Sequence, residues 1–213
     1  MDYDAYRPGV LLDLDGTLVD SVYQHVVAWS EAFQARGYEV ALWRIHAAIG
    51  MGGKVLVPWL LGRHVDDAEE LSDDHRRRFL DRAEELRPTR GAAALVDDLE
   101  RRKVSFRIAT SAESDVREAL LDALGRSDLA SADADDVGAA KPAPDLLLAT
   151  CAELDVEPED ATLVGDSPWD AEAARRVGIR TLAVRCGGFG DDRLLSAGAD
   201  AVVDDPQELL GRL

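Results

Sequence analysis

The spacing of apolar residues changes period several times along the chain. Val10-Leu11-Leu12 is a short unbroken apolar run that stops at Asp13, which predicts a buried strand. From Val22 the period lengthens, and Val22, Val26, Trp29, Ala32 and Phe33 recur at three- and four-residue spacing, predicting a helix through Arg36 that Gly37 stops. A second helix is expected over Leu42 to Ala48. The glycine-rich stretch Ile49-Gly50-Met51-Gly52-Gly53-Lys54 predicts a bend, followed by an apolar segment from Val55 to Leu61. Asp66 to Leu86 reads as one long charged helix, with Leu71, Phe79, Ala83 and Leu86 on its apolar face and Pro88 closing the block.

After Gly91 helices and strands alternate. Helices are expected over Ala92 to Arg102, from an N-cap at Ser114 to Leu124, and over Asp145 to Leu154, Asp170 to Val177 and Pro206 to Leu213. Strands are expected over Val104 to Ala109, Ala161 to Val164, Ile179 to Val184 and Ala201 to Val203, with a short one near Ala130 to Ala134. Such alternation predicts an α/β fold, a Rossmann-like, doubly wound parallel sheet whose ligand crevice lies outside the carboxyl ends of the strands. About seventy residues of helix without strand, inserted after the first strand, predict an all-helical cap. The expected division is a core of residues 1–19 and 89–213 with a cap of residues 20–88.

Composition narrows the class. A chain of 213 residues with 46% hydrophobic and 31% charged residues has enough apolar material for a globular core. No run is long enough to span a membrane, and the acidic amino terminus is unlike a secretory signal, so a cytoplasmic location is expected. The net charge of −18 repels nucleic acid and anionic membranes, and neither is expected as a partner. Cys151 and Cys186 lack metal-ligand spacing, and Cys151 is expected as a buried thiol. Only three lysines occur, Lys54, Lys103 and Lys141, so each is an unusual choice against a background of arginine.

The chemically suggestive residues all follow strands. Asp13 and Asp15 come after the first, Thr110 and Ser111 after another, and Asp166, Ser167 and Asp170 after a third, with Lys141 in a loop between. Two carboxylates as close as Asp13 and Asp15 repel unless a cation lies between them, and Mg²⁺ is the hard, oxygen-seeking ion suited to that place. Taken singly, Thr110-Ser111 reads as a strand end, Lys141 as a surface lysine, and Asp166 with Asp170 as helix capping. His25, His46, His64 and His75 have no metal-ligand pattern and are expected at the surface or in helix packing. Trp43 and Trp59 are expected in the core of the cap, Gly187-Gly188-Phe189-Gly190 as a flexible turn, and Asp133, Asp135 and Asp136 in a solvated loop.

The motif Asp13-Leu14-Asp15-Gly16-Thr17-Leu18-Val19-Asp20 resembles the first motif of the haloacid dehalogenase-like superfamily, in its phosphatase branch. Thr110, then Lys141 in Ala140-Lys141-Pro142, then Gly165-Asp166-Ser167-Pro168-Trp169-Asp170 match that family's remaining motifs in order. The resemblance implies a Mg²⁺-dependent phosphatase for a small phosphate ester such as a sugar phosphate or phosphoglycolate. In it Asp13 would be the nucleophile and Asp15 the acid and base. Thr110 would hold a phosphoryl oxygen, and Lys141 would fix Asp13. Metal ligation is implied for Asp13, for Asp15 through its backbone carbonyl, and for Asp166, with Asp170 holding the metal's water shell. Gly16, Thr17 and Ser111, with Gly52, Gly53 and Lys54 of the cap bend, would meet the substrate.

Three alternatives accompany this reading. A beta-phosphoglucomutase-like phosphotransferase shares the core motifs but carries a Ser-Arg pair after the cap glycine, where this chain has Met51-Gly52-Gly53-Lys54. A phosphonoacetaldehyde hydrolase replaces the second aspartate by alanine, and Asp15 argues against it. A non-catalytic binding or regulatory protein on the same fold is disfavoured because no motif residue is missing.

Overall fold

A computed structural model describes residues 9–131 and 141–213. The buried run at the start of the chain forms β1 (Gly9–Leu12), and around it lies a five-stranded parallel sheet. Its other members are β4 (Ser105–Ile108), β5 (Ala161–Gly165), β6 (Arg180–Val184) and β7 (Ala201–Val203), in the order β4-β1-β5-β6-β7. Register sets the site. Leu12 is level with Ile108 on one side and Val164 on the other, so the three strands end together and release Asp13, Thr110 and Asp166 at one edge.

Alternate side chains of β1 feed two cores. Val10 and Leu12 pack with α5 (Ala92–Arg102) and α6 (Ser114–Leu124), while Leu11 packs with α7 (Asp145–Leu154) and α8 (Pro168–Arg176). This is the doubly wound arrangement that the alternation predicted. Cys151 is buried in the second of these cores.

Between β2 (Val19–Asp20) and β3 (Arg87–Pro88), a two-stranded antiparallel ribbon, come four helices: α1 (Val22–Ala35), α2 (Leu42–Ala48), α3 (Gly53–Leu61) and α4 (Ala68–Leu80). They share an apolar core of Val26, Phe33, Ile45, Leu56, Leu60 and Leu71. Trp169 of α8 reaches into that core from the sheet side.

Several expectations change. The long helix ends at Leu80 and a separate 3-10 turn covers Ala83–Glu85, because the chain must reverse to pair Arg87–Pro88 with Val19–Asp20. Ser114 opens α6 and Glu113 is its cap residue. Helix α8 starts at Pro168, behind a capping box in which Ser167 and Asp170 bond reciprocally. The carboxyl-terminal segment forms only a short 3-10 turn, Pro206–Leu209, and α9 (Asp191–Ala197) was not anticipated. Of the strand near Ala130, only a bridge between Ser131 and Ile108 lies in the described residues; 132–134 fall outside them, as do Asp133, Asp135 and Asp136 of the expected solvated loop. Trp43 is 73% exposed and Trp59 44%, so neither fills the cap core; Trp59 instead lies edge-on to Trp169, ring centroids 6.2 Å apart. Among the described residues no helix is long and apolar enough to cross a membrane.

Candidate active site

Beyond the ends of β1, β4 and β5 lies a cavity of about 120 Å³, closed on its far side by α1, α3 and α4. Asp13 and Asp15 both open into it, as do Thr110, Ser111, Lys141, Asp166 and Asp170. The separation of one residue between Asp13 and Asp15 sends them to different neighbours. Asp13 turns inward to the other buried acids, and one oxygen from each of Asp13, Asp166 and Asp170 falls within 4.8 Å of the others.

A single ammonium lies against this cluster. Lys141 Nζ donates to Asp13 Oδ1 at 2.5 Å and stands 2.6 Å from Asp170 Oδ1. Thr17 Oγ1 is 3.1 Å from both Asp13 Oδ2 and Asp166 Oδ1, and its hydroxyl proton ties the two carboxylates together. Asp170 has a second task, since its Oδ2 accepts from the Ser167 amide and hydroxyl and so caps α8. Burial pushes Asp13 up to about 7, against the pull of Lys141 and with the charge of Asp170 adding to the rise. Asp166 is raised well above the ordinary carboxylate range, by burial first and then by Asp13 and Asp170. For Lys141 burial acts downward, but Asp13 and Asp170 reverse it and hold the ammonium charged.

Asp15 is set apart from the cluster. Its Oδ1 accepts from Ser21 Oγ at 2.9 Å and from His25 Nε2 at 2.8 Å, while Oδ2 has no hydrogen bond among the described residues. Burial acts to raise the Asp15 pKa, but His25 and the hydroxyl of Ser21 outweigh it and bring it below its ordinary value. The result is an ionised carboxylate with one oxygen anchored, on a residue that lines the cavity.

With all three carboxylates ionised, one ammonium would leave two uncompensated negative charges in a buried place, which is what the raised Asp13 and Asp166 reflect, and the donor atoms are all oxygens. That is a match for one hard divalent cation such as Mg²⁺. Glycines keep the space around Asp166 clear. A β-carbon at Gly16, whose φ is +76°, would meet Asp166 Oδ2 at 2.5 Å, and one at Gly187 would overlap the same oxygen.

The expected substrate-binding residues separate into two groups. Ser111, Gly52 and Gly53 line the cavity, and buried Thr110 keeps its hydroxyl there while accepting from the Ala112 amide. Gly16 and Thr17 do not line it: the Gly16 amide is taken by Val19 and Ser21, and Thr17 serves the acid cluster. Lys54 is exposed and also stands away from the cavity, because α3 begins at Gly53 and the helical turn carries Gly53 and Leu56 inward and Lys54 outward. Four residues that the sequence reading left aside do line it: His25, Trp29, His75 and Arg76. Arg76 of α4 bridges to the core through Asp115 at 2.6 Å and Glu113 at 3.3 Å. Recurrence at four-residue spacing, His25 with Trp29 and His75 with Phe79, was the available signal that each pair shares one helix face. His46 is likewise not idle, and its Nε2 meets the Gly187 carbonyl at 2.8 Å.

The family model of haloacid dehalogenase-like hydrolases matches residues 8–178. The chain belongs to the haloacid dehalogenase-like hydrolases. Its relatives place it in their phosphatase branch. It is 30% identical to the N-acetylmuramic acid 6-phosphate phosphatase of Pseudomonas aeruginosa, over 94% of this chain and 92% of that one. It is 32% identical to the phosphoglycolate phosphatase of Rhodospirillum rubrum, over 92% and 86%. A solved hydrolase from Pseudomonas syringae superposes with a TM-score of 0.92 at 35% identity, covering 95% of each chain. As a haloacid dehalogenase-like hydrolase of that branch, the protein is a phosphoric monoester hydrolase.

Proposed function

We infer that this hydrolase uses Mg²⁺ to cleave a small phosphorylated metabolite, of sugar phosphate or phosphoglycolate type, through a phosphoryl group carried on Asp13. The convergence of Asp13, Asp166, Asp170 and Lys141 at the mouth of β1 and β5, with Asp15 beside them, carries this reading. The names of the Pseudomonas aeruginosa and Rhodospirillum rubrum relatives support the substrate class. Residues 20–88 act as the cap that closes over the ester.

Asp13, Asp166 and the Asp15 backbone carbonyl would hold the cation, with Asp170 behind its water shell; when bound, it neutralises charge on the phosphoryl oxygens. Asp15, ionised in the ester-free protein, takes up one proton from solvent on Oδ2 before the site closes; a carboxylate oxygen of Asp13 then attacks phosphorus as the bond to the leaving oxygen breaks, and that oxygen receives the proton from Asp15. Water then attacks the phosphoryl group on Asp13, returns its proton to Asp15, and frees Asp13 and phosphate. Lys141 holds Asp13 in line, and the Thr110 hydroxyl and the ammonium offset charge on the transferring oxygens.

The test is to incubate the protein and Mg²⁺ with a panel of sugar phosphates and phosphoglycolate, scoring inorganic phosphate and isomerised sugar phosphate separately. Phosphate release is expected. Isomerised product without phosphate would mean a mutase, and no product from any ester would overturn the reading.

A further inference from the structure

The carboxyl group assigned to proton transfer is held from outside the sheet. His25 of α1, which bonds Asp15 Oδ1 through Nε2, faces His75 of α4 through its other nitrogen, and His25 Nδ1 lies 2.9 Å from His75 Nε2. Four rings make one block. His25 stacks on Phe79 with centroids 3.9 Å apart and planes 4° from parallel; His75 stacks on Trp29 at 4.1 Å and 9°; the two imidazoles stand 5.1 Å apart. Each helix contributes one imidazole and one aromatic four residues apart.

Two imidazoles in an aromatic seam are unfavourable as packing alone, because each must be stripped of water and then bonded. Apolar rings of the same shape would hold α1 to α4 with no polar group to satisfy. What the imidazoles add is a directed chain. An ionised carboxylate only accepts, so His25 Nε2 carries a proton. The remaining ring nitrogen, Nδ1, faces His75 Nε2 at hydrogen-bond distance, and one proton lies between them. Burial first, and then His25 beside it, push His75 well below the ordinary histidine range.

We propose that His75 is a positioning residue for Asp15: its Nε2 shares a hydrogen bond with His25 Nδ1, fixing the rotamer in which His25 anchors Asp15 Oδ1 and leaves Oδ2 to exchange a proton with the substrate. The proposal rests on the acid and base role given to Asp15 above. It concerns proton transfer to the leaving oxygen, so its effect depends on how much that oxygen needs a proton.

His75→Phe keeps a ring against Trp29 and removes the hydrogen-bonding nitrogen; His75→Gln loses the ring and restores an amide that can donate or accept near the same place. For each, kcat/KM is measured on the best alkyl phosphate substrate and on para-nitrophenyl phosphate, whose leaving group departs without an acid. The ratio of the two is expected to fall tenfold or more in His75→Phe and to recover to within threefold in His75→Gln. An equal loss on both esters in His75→Phe means packing alone and overturns the proposal, as does an unchanged ratio or a failure of glutamine to rescue. If the wild-type protein cleaves neither ester, the phosphatase reading fails instead, so the two failures are distinguishable. A measurement on the unaltered protein guards against a variant that does not fold. The long-range ¹H–¹⁵N spectrum of the imidazoles is expected to show His25 Nε2 protonated and a single proton between His25 Nδ1 and His75 Nε2. A bare His25 Nε2, or no proton between His25 Nδ1 and His75 Nε2, contradicts the chain.

Discussion

Lys141 and Asp13 form a buried ion pair, Nζ to Oδ1 at 2.5 Å, each side chain about as hidden as a core leucine. The lysine arrives in a loop 128 residues later in the chain, and it is the only ammonium against three buried carboxylates among the described residues. Removing it leaves their charge unopposed. Lys141→Met is expected to abolish turnover and to lower unfolding free energy by about 3–5 kcal/mol in metal-free urea titration, with Mg²⁺ restoring part of the loss. A change below about 1 kcal/mol would show that the pair is not structurally coupled to the cluster.

The raised carboxyls give a signed pH dependence. Asp13 titrates at about 7 in the folded, metal-free protein, against about 4 when unfolded. Between those values the folded state binds the extra proton, so the contribution to stability is largest at low pH and declines as pH rises through the window. Asp166 acts in the same direction. Mg²⁺ binds the ionised form and releases those protons, so its shift of the melting temperature is expected to be larger at about pH 7.5 than at about pH 5. Equal shifts at both would contradict the assignment.

Gly187 predicts a steric effect. Because a β-carbon there would overlap Asp166 Oδ2, Gly187→Ala is expected to weaken Mg²⁺ binding about tenfold or more, the size seen when a metal ligand is misoriented. Isothermal titration with Mg²⁺ measures this, and an unaltered affinity would remove Asp166 from the metal site.

Lys54 supplies the opposite expectation. Exposed on α3 and away from the cavity, it is expected to have no measurable part in catalysis. Lys54→Ala is expected to leave kcat and KM on the preferred substrate within about twofold. A large rise in KM would mean that α3 rotates on substrate binding.

The sheet was legible in the sequence because its strands are short apolar runs that end in turn residues; Val10-Leu11-Leu12 before Asp13 and Thr162-Leu163-Val164 before Gly165 leave little else to form. The core acids were legible for the same reason, since each lies one step past a strand that the register brings level. The four helices between β2 and β3 were legible only in outline. A helix's period says which residues share a face, but not which other face they meet, and so His25 and His75 could not be connected to Asp15 before α1 and α4 were placed together. The direction of Lys54 was not legible because the start of α3 at Gly53 decides it, and two adjacent glycines give no local signal of which begins the helix. Gly187 was taken only as part of a turn, its closeness to Asp166 being a matter of tertiary distance.

The central claim is that Asp13 carries the phosphoryl group. It is tested most directly by mixing the Mg²⁺-loaded protein with a rapidly cleaved phosphate ester, quenching in acid within the turnover time, and mapping the added mass by peptide mass spectrometry. The account predicts one phosphoryl group on Asp13 itself, more of it in Asp15→Ala, where water lacks its base, and none in Asp13→Asn. Phosphate release without a modified Asp13 peptide in either the wild-type protein or Asp15→Ala, or turnover sustained by Asp13→Asn, would contradict it.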